Sequence, residues 1–93
     1  LYLEILPRSF TPGNTIALQV GEGKLGDLWM IAVTELDGVP TFIPVLRGTM
    51  RISGGWETTV DTTGLPPGGT MGVTAYAIVN GKLRVSAVEH LDY

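Results

Sequence analysis

Three glycines, Gly21, Gly23 and Gly26, stand in the spacing G-x-G-x-x-G directly after the run Thr15 to Val20. In a dinucleotide-binding βαβ unit, such glycines turn the chain tightly and let the amides of a helix N-terminus approach a pyrophosphate. Here Thr15 to Val20 would be the first strand, Asp27 to Leu36 the helix and Asp37 the ribose ligand. The frame for that chemistry is missing. The next strand, Thr41 to Leu46, carries Pro44 in its middle, and a proline in a buried central strand forfeits a ladder hydrogen bond. No further helical segment is at hand to cover a parallel sheet on both faces. A lone glycine pattern without its βαβ frame reads as a loop between two strands, with glycines relieving backbone crowding.

Other chemistry-bearing residues are sparse. His90 is the single histidine and there is no cysteine. A Ser-His-Asp relay would have to use a residue three from the C-terminus, where fraying spoils the geometry, so no catalytic residue is assigned. Zinc needs three or four nitrogen or sulfur ligands, far more than this chain offers. Asp61 at the end of a strand, and Glu35 and Asp37 beside a turn, are the nearest approach to a hard-cation site. They lack the dense D-x-D-x-D grouping that calcium loops show and are as well explained by turn capping, so no metal and no cofactor is expected. The aromatic residues Trp29, Phe42 and Tyr76 are the candidate ligand or partner surface. On one exposed face they would stack on sugar rings, although Trp29, like Trp56, lies in phase with apolar neighbours and fits core packing better.

The composition bounds the remaining classes. The 93 residues suit a single domain, residues 1–93, with no second core. Apolar residues make up 44% and charged residues 16%, which favours a packed core over disorder. The net charge is −3 and the six Lys and Arg residues are scattered, so no basic stripe exists for nucleic acid. The longest apolar run, Leu28 to Val33, is far short of the roughly 20 residues a spanning helix needs. A positive mean hydropathy in so small a domain predicts that some apolar surface stays outside, to meet a neighbouring domain or subunit. The opening "LYLEIL" without an initiator Met suggests excision from a longer protein or trimming of a leader.

The elements that must position these residues are strands. Gly and Pro punctuate the chain roughly every ten residues, the rhythm of short strands and tight turns. "LYLEIL" is a strand stopped by Pro7, and Thr11 to Asn14 is a turn. Ile16, Leu18 and Val20 alternate with Thr15, Ala17 and Gln19, the signature of a half-buried strand. Leu28 to Leu36 has the pattern of a strand covered on both sides, or of a short buried helix; extended chain is expected. Asp37-Gly38 and Asn80-Gly81 are hairpin turns. Pro44 points to an edge strand or a bulge. Thr49 to Ile52, Trp56 to Val60 and Thr70 to Val79 supply further strands, with a corner over Asp61 to Gly69. Lys82 to Leu91 is expected as one continuous last strand. The expected core is Ile16, Leu18, Trp29, Ile31, Val33, Trp56, Val60, Val73 and Ala75.

About seven period-two strands in this length predict an all-β chain, either an antiparallel β-sandwich of immunoglobulin or fibronectin type III size or a small closed barrel; the resemblance of Val60 to Ser86 to known sandwich domains favours the immunoglobulin-like antiparallel β-sandwich. The stretch "VDTTGLPPGGTMGVTAYAIVNGKLRVS" (Val60 to Ser86) resembles the second half of fibronectin type III-like and bacterial immunoglobulin-like domains, in which a Gly-Leu-x-Pro-Gly corner leads into a long strand and a closing hairpin. "GGWETTVDTTGLPPGG" is similar to the Gly-x-Trp-x-x-x-Val segment of bacterial surface repeats. Met71 stands where a fibronectin-type corner carries a Tyr. The resemblance implies a secreted, extracellular or cell-surface setting and a non-catalytic role as spacer or protein-binding domain. A carbohydrate-binding module accessory to an enzyme and a small self-assembling, homo-oligomeric subunit are the alternatives.

Overall fold

The structure is a computed structural model that describes residues 1–21, 26–49, 55–65 and 67–93, with side chains for all of these except 55–61. Its strands are β1 (Tyr2–Leu6), β2 (Thr15–Gly21), β3 (Leu28–Leu36), β4 (Val39–Thr49), β5 (Gly55–Asp61), β6 (Thr70–Val79), β7 (Lys82–Val85) and β8 (Glu89–Asp92). No helix occurs among the described residues. One sheet has the order β1-β2-β5; the other has the order β4-β3-β6-β7, with β8 also on β6. Every named strand pairing is antiparallel. The chain is an antiparallel β-sandwich.

Alternation drives the layering. Leu3 and Ile5 of β1 and Ile16, Leu18 and Val20 of β2 point inward and meet Trp29 and Ile31 of β3, Met71, Val73, Ala75 and Ala77 of β6, and Leu91 of β8. Val33 is half-buried against this cluster. Trp56 and Val60, also expected in the core, carry side chains outside the described residues. Phe10, which the alternation pattern does not single out, is buried as well.

Both dipeptide turns form as the sequence predicts. Leu36 pairs with Val39 around Asp37-Gly38, and Val79 pairs with Lys82 around Asn80-Gly81. All four turn residues have positive φ (47°, 81°, 52° and 75°), the type I′ requirement that makes Asx-Gly favoured there. Pro44 sits on β4, which is an edge strand, and next to a bulge: Ile31 pairs with Leu46 and Ala32 with Pro44, leaving Val45 extra. β4 continues to Thr49, the first residue of the separate strand expected over Thr49 to Ile52; residues 50–52 lie outside the described set.

The expected continuous last strand is corrected: it breaks into β7 and β8. Tyr76 pairs with Val85, but Ser86 then interrupts the ladder. Its N–H donates to the Ala75 carbonyl at 2.9 Å, while its own Oγ accepts the Ala75 N–H at 2.9 Å and donates to the Ala87 carbonyl. A side-chain hydroxyl thus replaces a main-chain carbonyl, and the chain rejoins β6 only at Glu89.

Candidate surface on the outer face of the second sheet

The side chains that alternate with the core residues of β3, β4, β6 and β7 point away from the sandwich. In register across the sheet, Met30 lies between Arg47 and Tyr76, and Tyr76 lies beside Val85. One row away, Ile78 pairs with Leu83. The outward set is mostly apolar, and Leu28, Phe42, Ile78, Leu83 and Val85 are all exposed. Leu83 (59%) and Phe42 (56%) are among the most exposed apolar side chains. The outward residues of β1 and β2 are mixed, with Glu4, Thr15 and Gln19 alongside the exposed Tyr2 and Leu6.

Phe42 and Tyr76 come from strands on opposite sides of β3, yet their ring centroids are 6.0 Å apart with an interplanar angle of 70°. They meet above Ala32, which pairs with Pro44 and Thr74 and is 0% exposed although it faces outward. Beside them Thr34 and Thr74 share a 2.8 Å hydroxyl–hydroxyl hydrogen bond.

Trp29 is the correction among the candidate surface aromatics. It is 6% exposed, belongs to the core, and lies over Gly48, where an added Cβ would stand 3.0 Å from its ring. A large residue at position 48 would displace that ring, which is why a glycine faces Trp29 in the register. The three aromatics therefore do not align on the surface; only Phe42 and Tyr76 share the outer face. A shallow groove of about 570 Å³ runs beside them, walled by Leu28, Met30, Arg47, Tyr76, Ile78 and Leu83. The intervening Trp29, Gly48 and Ala77 lie in its floor.

The other sequence candidates are dispersed. Gly21 ends β2 beneath the Tyr2 ring and Gly26 has φ of 87°, while Gly23 lies outside the described residues. The segment that follows them is strand β3, so no helix N-terminus is aimed at a phosphate. His90 is exposed on β8, with Nε2 3.8 Å from Glu35 Oε2. Asp37 Oδ1 accepts the Thr70 N–H at 2.9 Å, which is turn capping. The side chain of Asp61 is outside the described residues. Among the described residues no group of three or more His, Asp or Glu could hold a metal ion.

Sequence reasoning did not find the clustering of Phe42 with Tyr76, or the part played by Leu28, Met30, Ile78 and Leu83. The signal was present: in β6 the residues opposite the core, Tyr76 and Ile78, are apolar where a solvated face calls for polar ones. Comparison with known proteins found no matching family model, no matching curated protein and no matching solved structure.

Proposed function

We propose that this chain is a non-catalytic β-sandwich module of an extracellular or cell-surface protein, acting through protein contacts as a spacer or interaction domain. The observation that carries this reading is the apolar outer face of the second sheet. Contiguous exposed apolar patches on small domains mark interaction sites, and the centres of interfaces are enriched in Tyr, Phe and Met. The groove brings together one cation, Arg47, among apolar walls. Among the described residues its only other polar side chains are those of Thr49 and Tyr76, a sparse set beside the convergent groups that fix a reacting substrate. The extracellular setting rests on the resemblance of Val60 to Ser86 to fibronectin type III-like and bacterial immunoglobulin-like domains.

A carbohydrate-binding module is the second reading, favoured by the pairing of exposed Phe42 with half-buried Tyr76 on the outer face. The edge-to-face arrangement turns these rings out of a common plane, which suits a protein contact better than a flat sugar platform.

Photo-crosslinking in the source cells tests the reading. A benzophenone amino acid at Ile78 or Leu83 should trap a polypeptide, whereas one at Glu4 on the opposite sheet should not. If the outer-face probes trap no polypeptide, and a glycan array instead shows binding that Tyr76→Ala abolishes, the carbohydrate reading replaces this one.

A further inference from the structure

We infer that the space between the two sheets is a binding site for one unbranched alkyl chain, that of a small amphiphile which enters tail first and leaves its polar head at the mouth. The site lies on the core side of the second sheet and is independent of contacts made on the outer face.

The two sheets differ in width. Three strands, β1-β2-β5, face a sheet in which β4, β3 and β6 are followed by β7 or β8. β1 approaches β6 and β8, which sets the narrower sheet over that side and leaves β4 at an uncovered edge. Ile43, for example, lies across from the core-packed Val33 yet is 45% exposed. Behind this edge is a cavity of about 240 Å³. Its wall on the second sheet runs across the strands, from Leu46 on β4 through Ile31 and Val33 on β3 and Val73 and Met71 on β6 to Leu91 on β8. Ile5, Ile16 and Leu18 of the first sheet line the opposite side. Neighbouring strands lie about 4.8 Å apart, so a cavity that touches four of them is long for its volume. A chain suits that shape better than a ring.

Exposure separates a mouth from a blind end. Among the lining residues Val45 and Thr63 are exposed, and Leu46 and Leu65 are half-buried. These belong to β4 and to the corner after β5, the edge strands of the two sheets. At the other extreme Ile5 and Leu91 are 0% and 1% exposed.

The chemistry of the lining selects hydrocarbon. No charged residue among the described ones lines the cavity, and its polar members are Thr62 and Thr63. The Thr62 hydroxyl is engaged by the Gly13 N–H and the Asn14 carbonyl, and Thr63 stands at the mouth. The blind end therefore offers water no side-chain partner. A buried water needs two to four polar partners, and apolar cavities stay dry; an engineered one of about 150 Å³ takes up benzene. Walls that face a dry void lack dispersion contacts on one side. A row of methylenes restores those contacts and leaves water in the same step.

An NMR titration with n-octanol of the full 93-residue chain, isotope-labelled at its Ile, Leu and Val methyl groups, tests this. Octanol should shift the methyl signals of Ile5, Ile31 and Leu91 and give intermolecular NOEs to them, while those of Ile78 and Leu83 on the outer face stay unchanged. The α,ω-diol of the same length should bind about tenfold more weakly or worse, because its second hydroxyl would be buried at the blind end without a partner. Val33→Phe fills the slot from a half-buried position and should abolish octanol binding in a chain that circular dichroism shows to be folded. If that variant fails to fold, the NOEs and the diol comparison on the parent chain still decide. Octanol that reaches only Ile78 and Leu83, or no methyl at all, overturns the inference. So do equal affinities for the alcohol and the diol, or a folded Val33→Phe chain that binds octanol as the parent does.

Discussion

Ala32 faces outward from β3 and is fully buried because Phe42 and Tyr76 lean together above it. The size of one side chain on the central strand therefore decides whether two rings on its flanking strands can touch. Ala32→Leu adds carbon where the rings already close, and overpacking of this kind costs about 1–3 kcal/mol. Urea denaturation should show that loss, and the Tyr76 ring should become more accessible to solvent. Thr62 is a second such residue, buried in the corner after β5. Its hydroxyl accepts the Gly13 N–H at 3.0 Å and donates to the Asn14 carbonyl, tying the corner to the turn before β2. Thr62→Val keeps the shape and leaves both backbone groups without this partner, at a cost of about 1–3 kcal/mol. Thr62→Ser should recover most of it in the same denaturation experiment. Met71, where a fibronectin-type corner would carry Tyr, is a buried core residue here. In this chain a Thr62 hydroxyl stitches the corner.

At the scale of elements, the parts readable in the sequence were those decided locally. Asp37-Gly38 and Asn80-Gly81 set their hairpins because positive φ is needed at both positions of a type I′ turn, and strict alternation placed Ile16, Leu18 and Val20 inward. What alternation did not reveal depends on register between strands distant in sequence. The break between β7 and β8 looks, in sequence, like the continuous period-two run Lys82 to Leu91. It exists because Ser86 satisfies Ala75 with a hydroxyl, which is decided on β6. The candidate surface was half legible for the same reason: Phe42 and Tyr76 were marked individually, but their meeting requires β4 and β6 to flank β3 at one register, and Trp29 was settled as core by its Gly48 partner. Ser86→Ala tests the role of the hydroxyl. The Ala75 amide, buried and without its acceptor, should exchange with deuterium faster than in the parent, and stability should fall by about 1–3 kcal/mol. The amides of β2, in the other sheet, should slow or quicken only with global stability.

For the whole molecule, the connection between the two sheets runs through the segment that leaves β1. Past the cis Leu6–Pro7 peptide, Arg8 to Phe10 crosses to the edge of the second sheet, where Ser9 bridges Asp92 in parallel. The Asp92 N–H donates to the Arg8 carbonyl and the Phe10 N–H donates to the Asp92 carbonyl. Phe10 stacks on Tyr93 at 5.6 Å, and Tyr93 in turn donates its N–H to the Gly69 carbonyl and lays its ring where a Gly69 Cβ would be. Leu91, 1% exposed, inserts between the layers from the same short strand. β8 is four residues long, yet it closes the sandwich, since losing it would expose Leu91, Met71 and Phe10 together and strand the bonds to Arg8 and Phe10. Leu91→Ala should cost about 2–5 kcal/mol, the range for truncating a buried leucine. Native domains are stable by only about 5–15 kcal/mol. Removing residues 89–93 altogether, which adds the lost hydrogen bonds and the Phe10–Tyr93 stack to that loss, should therefore leave a chain without a cooperative urea transition. Leu91→Ala should keep a cooperative transition at lower urea with an unchanged m-value. A shortened chain that still unfolded cooperatively near the parent midpoint would mean that β1, β2, β3 and β6 close the core without β8.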